Sequence, residues 1–375
     1  MNHARLAGTF AVTGRNLVTP AILLALMSPP IAARPAAQQP PAAVPMHAVD
    51  VIADAFKTHQ VVMLPGGHGS RTYHEFLLQL VRDPRLHGVV NDIVVEFGSS
   101  RYQDLMERFL RGEEIPFGTL KQAWQNTVVA GVTNDGPYVE DFYRSMRALN
   151  ASLPPQRRYR VLLGDPPIDW DHVTDKADVR RWVVLRSTYP ADLIRREVIA
   201  RGRRALVVYG QLHFPRKEMQ TNYDMSDWQA QTITSWLEQV PETKVFVTWS
   251  EGGDAIVKLQ PEIASWPRLS MARVRGTVIG AADFTALNGD RERFAIQGVD
   301  TFVKIPRSEH KAMRVEDLID AIIWNGNAPP NPVLLSAETC ADPGYLPMRL
   351  KRIALAGIPP GEGEAAKRAC AAHAR

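Results

Sequence analysis

The chain has 375 residues, 45% apolar and 22% charged, an ordinary globular composition that can bury one large core or two smaller ones. Its formal charge of +4 owes three positive charges to Arg5, Arg15 and Arg34, which precede the first acid, so the remainder carries only about +1. That leaves no basic excess to neutralise phosphates, and nucleic acid is excluded as the main partner.

In chain order, the first segment has basic positions, then the apolar stretch Leu17 to Met27, then small residues and prolines in SPPIAARPAAQQPPAAVP. The apolar run is too short to span a bilayer as a helix, so residues 1–45 read as a secretory signal peptide followed by a Pro/Ala tether. No lipid-acceptor cysteine follows, and no later stretch approaches a transmembrane span. The expected mature protein is exported, periplasmic or secreted, and soluble. With no internal repeat and no later low-complexity break, residues 46–375 are expected to form a single domain.

From residue 61 onward, apolar runs alternate with helical patterns. VVMLP (61–65) precedes Tyr73, Phe76, Leu77, Leu80 and Val81 at helical spacing, and DIVVEF (92–97) precedes the amphipathic YQDLMERFL. Helical patterns continue through LKQAWQ and VEDFYRSMRALN to Pro154 and Pro155. YRVLLGD (159–165) is the next strand, ADLIRREVIARG (191–202) a helix, ALVVYG (205–210) a strand, WQAQTITSWLEQV a helix and KVFVTW (244–249) a strand. Beyond residue 270 the pattern weakens: VRGTVIG and DTFVKIP read as further strands and VEDLIDAIIW as a helix. Such alternation predicts an α/β fold, a mainly parallel sheet with helices on both faces and a C-terminal extension. The nearly unbroken apolar strands agree, because a strand covered on both sides has no polar face. The only cysteines, Cys340 and Cys370, lie in the C-terminal tail. An oxidising compartment would let them close a loop of about thirty residues, worth roughly 3 kcal/mol on the loop-entropy model. The alternative is two buried free thiols.

In open parallel sheets, ligands bind beyond the carboxyl ends of the strands. Four predicted strands end there in ionisable residues: His68 after Gly66 and Gly67, Glu96, Asp165 in LLGDPP, and His213 in YGQLHF. Each also has a structural reading. A histidine after a strand is commonly only hydrogen-bonded, and Asp165 before two prolines can simply shape a turn. Glu96 among apolar neighbours needs a partner, with His68, His213 or Arg101 the candidates. His74 and Glu75 start the first helix, one facing the site and the other solvent, which makes Glu75 a secondary candidate. Two chemistries use two histidines and a carboxylate. In one, a histidine is the general base, a carboxylate orients it, and the second histidine or Arg101 stabilises developing charge. In the other, His68, Glu96 and His213 converge on a divalent metal. H-E-x-x-H, C-x-x-C, G-x-S-x-G and G-x-x-x-x-G-K-[ST] motifs are all absent, which removes the recognisable zinc, lipase-type and P-loop readings.

VVMLPGGHG (61–69), IVVEFG (93–98), VLLGD (161–165) and VVYGQLH (207–213) together resemble the superfamily of erythromycin esterases, the haem-uptake protein ChaN and Tiki-type proteases, loosely over residues 50–250. DIVVEFGSSRYQDLMERFLRGE and RVLLGDPPIDW look like a group of bacterial proteins within it that has no assigned reaction. The resemblance implies a hydrolase of ester, lactone or peptide bonds acting on a small-molecule or peptide substrate. It matches His68 and His213 to the two site histidines and Glu96 to the glutamate; in that reading His68 is the general base, Glu96 orients it and His213 assists the oxyanion or leaving group. Those relatives carry a glutamate two or three residues before the first histidine, where this chain has Pro65 and Gly66. That departure motivates a second reading of another class, a noncatalytic periplasmic binder of metal or haem. A haem would draw an axial ligand from Tyr73, Tyr102 or the two histidines.

Overall fold

In a computed structural model of the chain, residues 39–66, 70–129, 131–217, 231–251, 253–284, 287, 313–326, 334–358 and 360–373 are described. The expected signal peptide up to residue 38, His68 and the run DTFVKIP lie outside them. Among the described residues eight strands form one sheet: β1 (Met46–His47), β2 (Val61–Pro65), β3 (Asp92–Ser99), β4 (Arg160–Asp165), β5 (Ala205–Tyr209), β6 (Val245–Glu251), β7 (Ser270–Arg273) and β8 (Ala321–Trp324). Their order is β1-β7-β8-β6-β2-β5-β3-β4, antiparallel at β1/β7 and β7/β8 and parallel elsewhere.

Strand alternation divides the apolar residues between two cores. Val62, Leu64, Ile93, Val95, Leu206 and Val208 face one; Val61, Met63, Val94, Val207 and Val247 face the other. The first core receives Phe76 and Leu80 from helix Arg71–Arg82, Phe109 from Gln103–Leu110, and Phe142 and Met146 from Pro137–Ser152. The second receives Ile194 from Thr188–Glu197, Leu237 from Ile233–Leu237 and Ile256 from Asp254–Leu259. Helix Arg71–Arg82 starts where the Ser70 hydroxyl accepts the Tyr73 N–H at 3.4 Å, and Pro137 opens helix Pro137–Ser152 at a position that needs no N–H. Each large side chain so buried contributes about 1.5–3 kcal/mol.

From β2 the chain crosses to β3 and β4, returns to place β5 between β2 and β3, and then crosses β2 to form β6 on the other side. Because these strands are parallel, their carboxyl ends share one edge of the sheet.

Three expectations are corrected. VEDLIDAIIW is a helix only over Val315–Leu318; its AIIW becomes β8, which pairs with Thr248–Glu251 of β6 and with β7. Periodicity cannot separate a short buried strand from a helix turn, and strand partners decide. VRGTVIG forms turns, with Gly276 at φ +72° and with Val274 and Ile279 buried in the second core, while the unforeseen SMAR forms β7. The last residues assigned to the tether are bound to the domain. Ala43 donates to and accepts from the Gln260 side chain, both at 2.8 Å, and Pro41 accepts the Val278 N–H at 2.9 Å.

At the C-terminus, Cys340 and Cys370 form a disulfide that joins helix Ala337–Ala341 to helix Pro360–Ala371 across helix Tyr345–Ala356. The middle helix docks through buried Arg349, whose Nη2 donates to Asp135 Oδ1 at 2.7 Å, while the Tyr345 hydroxyl donates to Oδ2 at 2.6 Å. No helix among the described residues is long and apolar enough to cross a membrane.

Candidate functional site

Glu96 lies near the carboxyl end of β3, only 4% exposed. An ionised carboxylate so placed is costly unless its oxygens are bonded. The Gly210 N–H, just past β5, donates to Oε2 at 2.6 Å, and Arg186 Nη2 donates to Oε1. Arg186 comes from the connection between helices Lys176–Val183 and Thr188–Glu197 and was not among the sequence candidates. The signal that pointed to it was the need of a buried glutamate for a cation. The nearer Arg101 does not fill that role; its Nη2 lies 2.8 Å from Asp169 Oδ2 and its side chain is 45% exposed.

Asp165, the last residue of β4, is 1% exposed. Its Oδ2 accepts the Val128 N–H at 2.5 Å, and its Oδ1 stands 3.5 Å from Arg186 Nε, an ion contact longer than a hydrogen bond. Burial pushes its carboxyl up to about 7, against the opposing pull of Arg186 and the Val128 N–H and with help from the Glu96 charge. For Arg186 burial acts downward, but the Glu96 and Asp165 charges outweigh it and hold the guanidinium above its ordinary value. Tyr209 completes the cluster: burial, then the charges of Asp165 and Glu96, push its phenol well up, so it stays neutral. Gly164 has no room for a side chain because a Cβ there would overlap the Tyr209 hydroxyl.

His213 sits on the single turn Gln211–His213 after β5. Its Nδ1 is 2.8 Å from the Ser187 hydroxyl and its Nε2 is 3.9 Å from Glu96 Oε1, while the ring packs edge-on against Tyr209. The edge thus brings Glu96, Asp165 and His213 into one cluster and adds Arg186 and Ser187. A base nitrogen, a hydroxyl, a carboxylate and a buried guanidinium in contact can move a proton and stabilise the charge that results.

Beside the cluster, Glu96 also lines a cleft of about 60 Å³ with Pro65, Ser70, His74, Asn134 and Tyr138, room for a few waters or one small substrate group. Of the pair that starts helix Arg71–Arg82, His74 faces this cleft, its Nε2 2.8 Å from Asp141 Oδ2. Glu75 turns outward, 58% exposed and 2.7 Å from Arg71 Nε, so its candidacy as a site residue is withdrawn. The helical repeat places adjacent residues on different faces, and the apolar stripe of this helix selects which one points inward.

The metal set of His68, Glu96 and His213 includes one residue outside the described ones. Each Glu96 oxygen accepts an internal donor, Arg186 Nη2 on Oε1 and the Gly210 N–H on Oε2. Among the described residues no group of three or more His, Cys, Asp or Glu is gathered for a metal. The haem reading fares similarly at its tyrosines, since the Tyr73 hydroxyl is bonded to Ser250 and the Tyr102 hydroxyl accepts from Asn126 at 2.5 Å. No protein-family model, curated protein or solved structure matches the chain.

Proposed function

We propose that this chain is an exported hydrolase of ester, lactone or peptide bonds, working from the strand-end cluster of Glu96 and His213. The observation that carries the reading is His213 held between the Ser187 hydroxyl and the Glu96 carboxylate at the carboxyl edge of a parallel sheet. In this arrangement Nδ1 takes a proton from an oxygen nucleophile. The imidazolium that forms is stabilised by Glu96, which Arg186 and the Gly210 N–H keep from swinging away. Positioned general-base catalysis of this kind contributes about 10²–10⁴-fold. Export is supported by the Cys340–Cys370 disulfide, a bond that persists in oxidising compartments. The likeness to erythromycin esterases and Tiki-type proteases supports the same substrate classes, and in that likeness His68 is the general base and His213 assists the oxyanion or leaving group.

The test is a panel of nitrophenyl esters, lactones and peptides turned over by the purified protein, by His213→Ala, by Glu96→Gln and by His68→Ala. His213→Ala is expected to lower kcat by about 10²–10⁴-fold and Glu96→Gln to follow it. A wild-type protein that turns over none of the three classes, or a His213→Ala variant of full activity, refutes the reading. His68→Ala apportions the base role between the two histidines.

A further inference from the structure

Ser187 is the N-cap of helix Thr188–Glu197, where a serine hydroxyl normally accepts an N–H of the first turn. It makes no such bond. Instead its hydroxyl is turned to His213 Nδ1 at 2.8 Å, 26 positions along the chain. In the tautomer that carries the ring proton on Nε2, the nitrogen that faces Glu96 at 3.9 Å, Nδ1 accepts the Ser187 hydroxyl. Nucleophile, base and carboxylate therefore stand in sequence, and Ser187 and His213 are both partly exposed. The imidazole is used in the reverse sense from the serine-protease triad, with the serine on Nδ1 and the acid on Nε2. The adjacent Arg186 guanidinium and the amino end of the helix supply positive potential beside the serine.

We propose that Ser187 is the nucleophile, and that hydrolysis proceeds through an acyl-enzyme; this rests on the hydrolase reading above. Ser187 Oγ attacks the substrate carbonyl carbon while its proton passes to His213 Nδ1. Collapse of the tetrahedral intermediate breaks the bond to the leaving alcohol or amine, which takes that proton from His213. A water then attacks the Ser187 ester, giving one proton to His213. The Oγ–acyl bond breaks, Ser187 recovers the proton and the carboxylic acid leaves. Glu96 faces the imidazolium at both stages.

A fluorophosphonate probe tests this without knowledge of the substrate: Oγ bonds to phosphorus, fluoride leaves and His213 takes the proton. Intact mass and peptide mapping of the full protein are expected to show one adduct, on Ser187, formed at least about a hundredfold more slowly in His213→Ala. Ser187→Ala is expected to lose the adduct and at least about a thousandfold of kcat on the ester panel. Turnover that survives in Ser187→Ala, with no adduct in the wild type, overturns the nucleophile and leaves a hydrolase that activates water directly. A Ser187 adduct without turnover of esters, lactones or peptides keeps the nucleophile and removes the substrate classes. Neither adduct nor turnover removes both.

Discussion

Replacing Asp165 by Asn should gain stability relative to the wild type as pH rises through neutrality, although it deletes a partner of Arg186. Burial raises the Asp165 carboxyl from 3.8 to about 7, which means the ionised form is worse off in the folded chain than in the unfolded one. A raised folded value makes the contribution of this group fully present below about pH 3.8 and lost as pH climbs through about 7. A shift of about three units at roughly 1.4 kcal/mol each sets the loss at on the order of 4 kcal/mol, as a ceiling. Asn keeps an oxygen for the Val128 N–H but does not ionise. A pH-independent offset aside, the stability of Asp165→Asn minus wild type should rise from pH 4 to pH 8 by up to about 4 kcal/mol. Urea unfolding of both proteins at half-unit steps measures it, provided the two m-values agree. A difference that is flat with pH, or that falls, refutes the reasoning: the Arg186 charge, and not burial, would then govern Asp165.

Other outcomes follow from the same geometry. Arg349→Ala leaves Asp135, held upward by burial, without its guanidinium, and should cost about 3–5 kcal/mol in thermal unfolding. Arg349→Met combined with Asp135→Leu should recover most of that loss, and equal damage in the double variant would show that the pair is not the cause. Reduction of Cys340–Cys370, or its replacement by two serines, should lower stability by about 3 kcal/mol, read as a shift in urea midpoint under reducing against oxidising conditions. Glu75→Gln and Arg101→Gln, both on exposed surface pairs, should each change turnover of the ester panel less than about twofold, whereas a hundredfold loss in either would return it to the site.

Short-range pattern carried much of this architecture. The runs at 61–65, 92–97, 159–165, 205–210 and 244–249 are apolar enough to be strands covered on both faces, and they are β2 to β6. Where the apolar run is four residues long, as in AIIW, local pattern pointed to a helix and pairing with β6 and β7 overruled it. Because parallel strands end at one edge, the positions of Glu96, Asp165 and His213 just before or after strand ends already implied that they share it. The two cysteines likewise implied their bond.

What no local pattern contains is the partner of each site residue. Arg186 reaches Glu96 from 90 positions away, and Val128 reaches Asp165 from 37, because crossovers return distant connections to the same sheet edge. In sequence, Arg186 and Ser187 look like an ordinary polar link between helices. Only the sheet order, which sets β5 between β2 and β3, brings the turn carrying His213 against that link and against Glu96. The strand positions follow from hydrophobic burial acting along the chain; the site follows from which strands become neighbours, and that is settled by the packing of the whole domain.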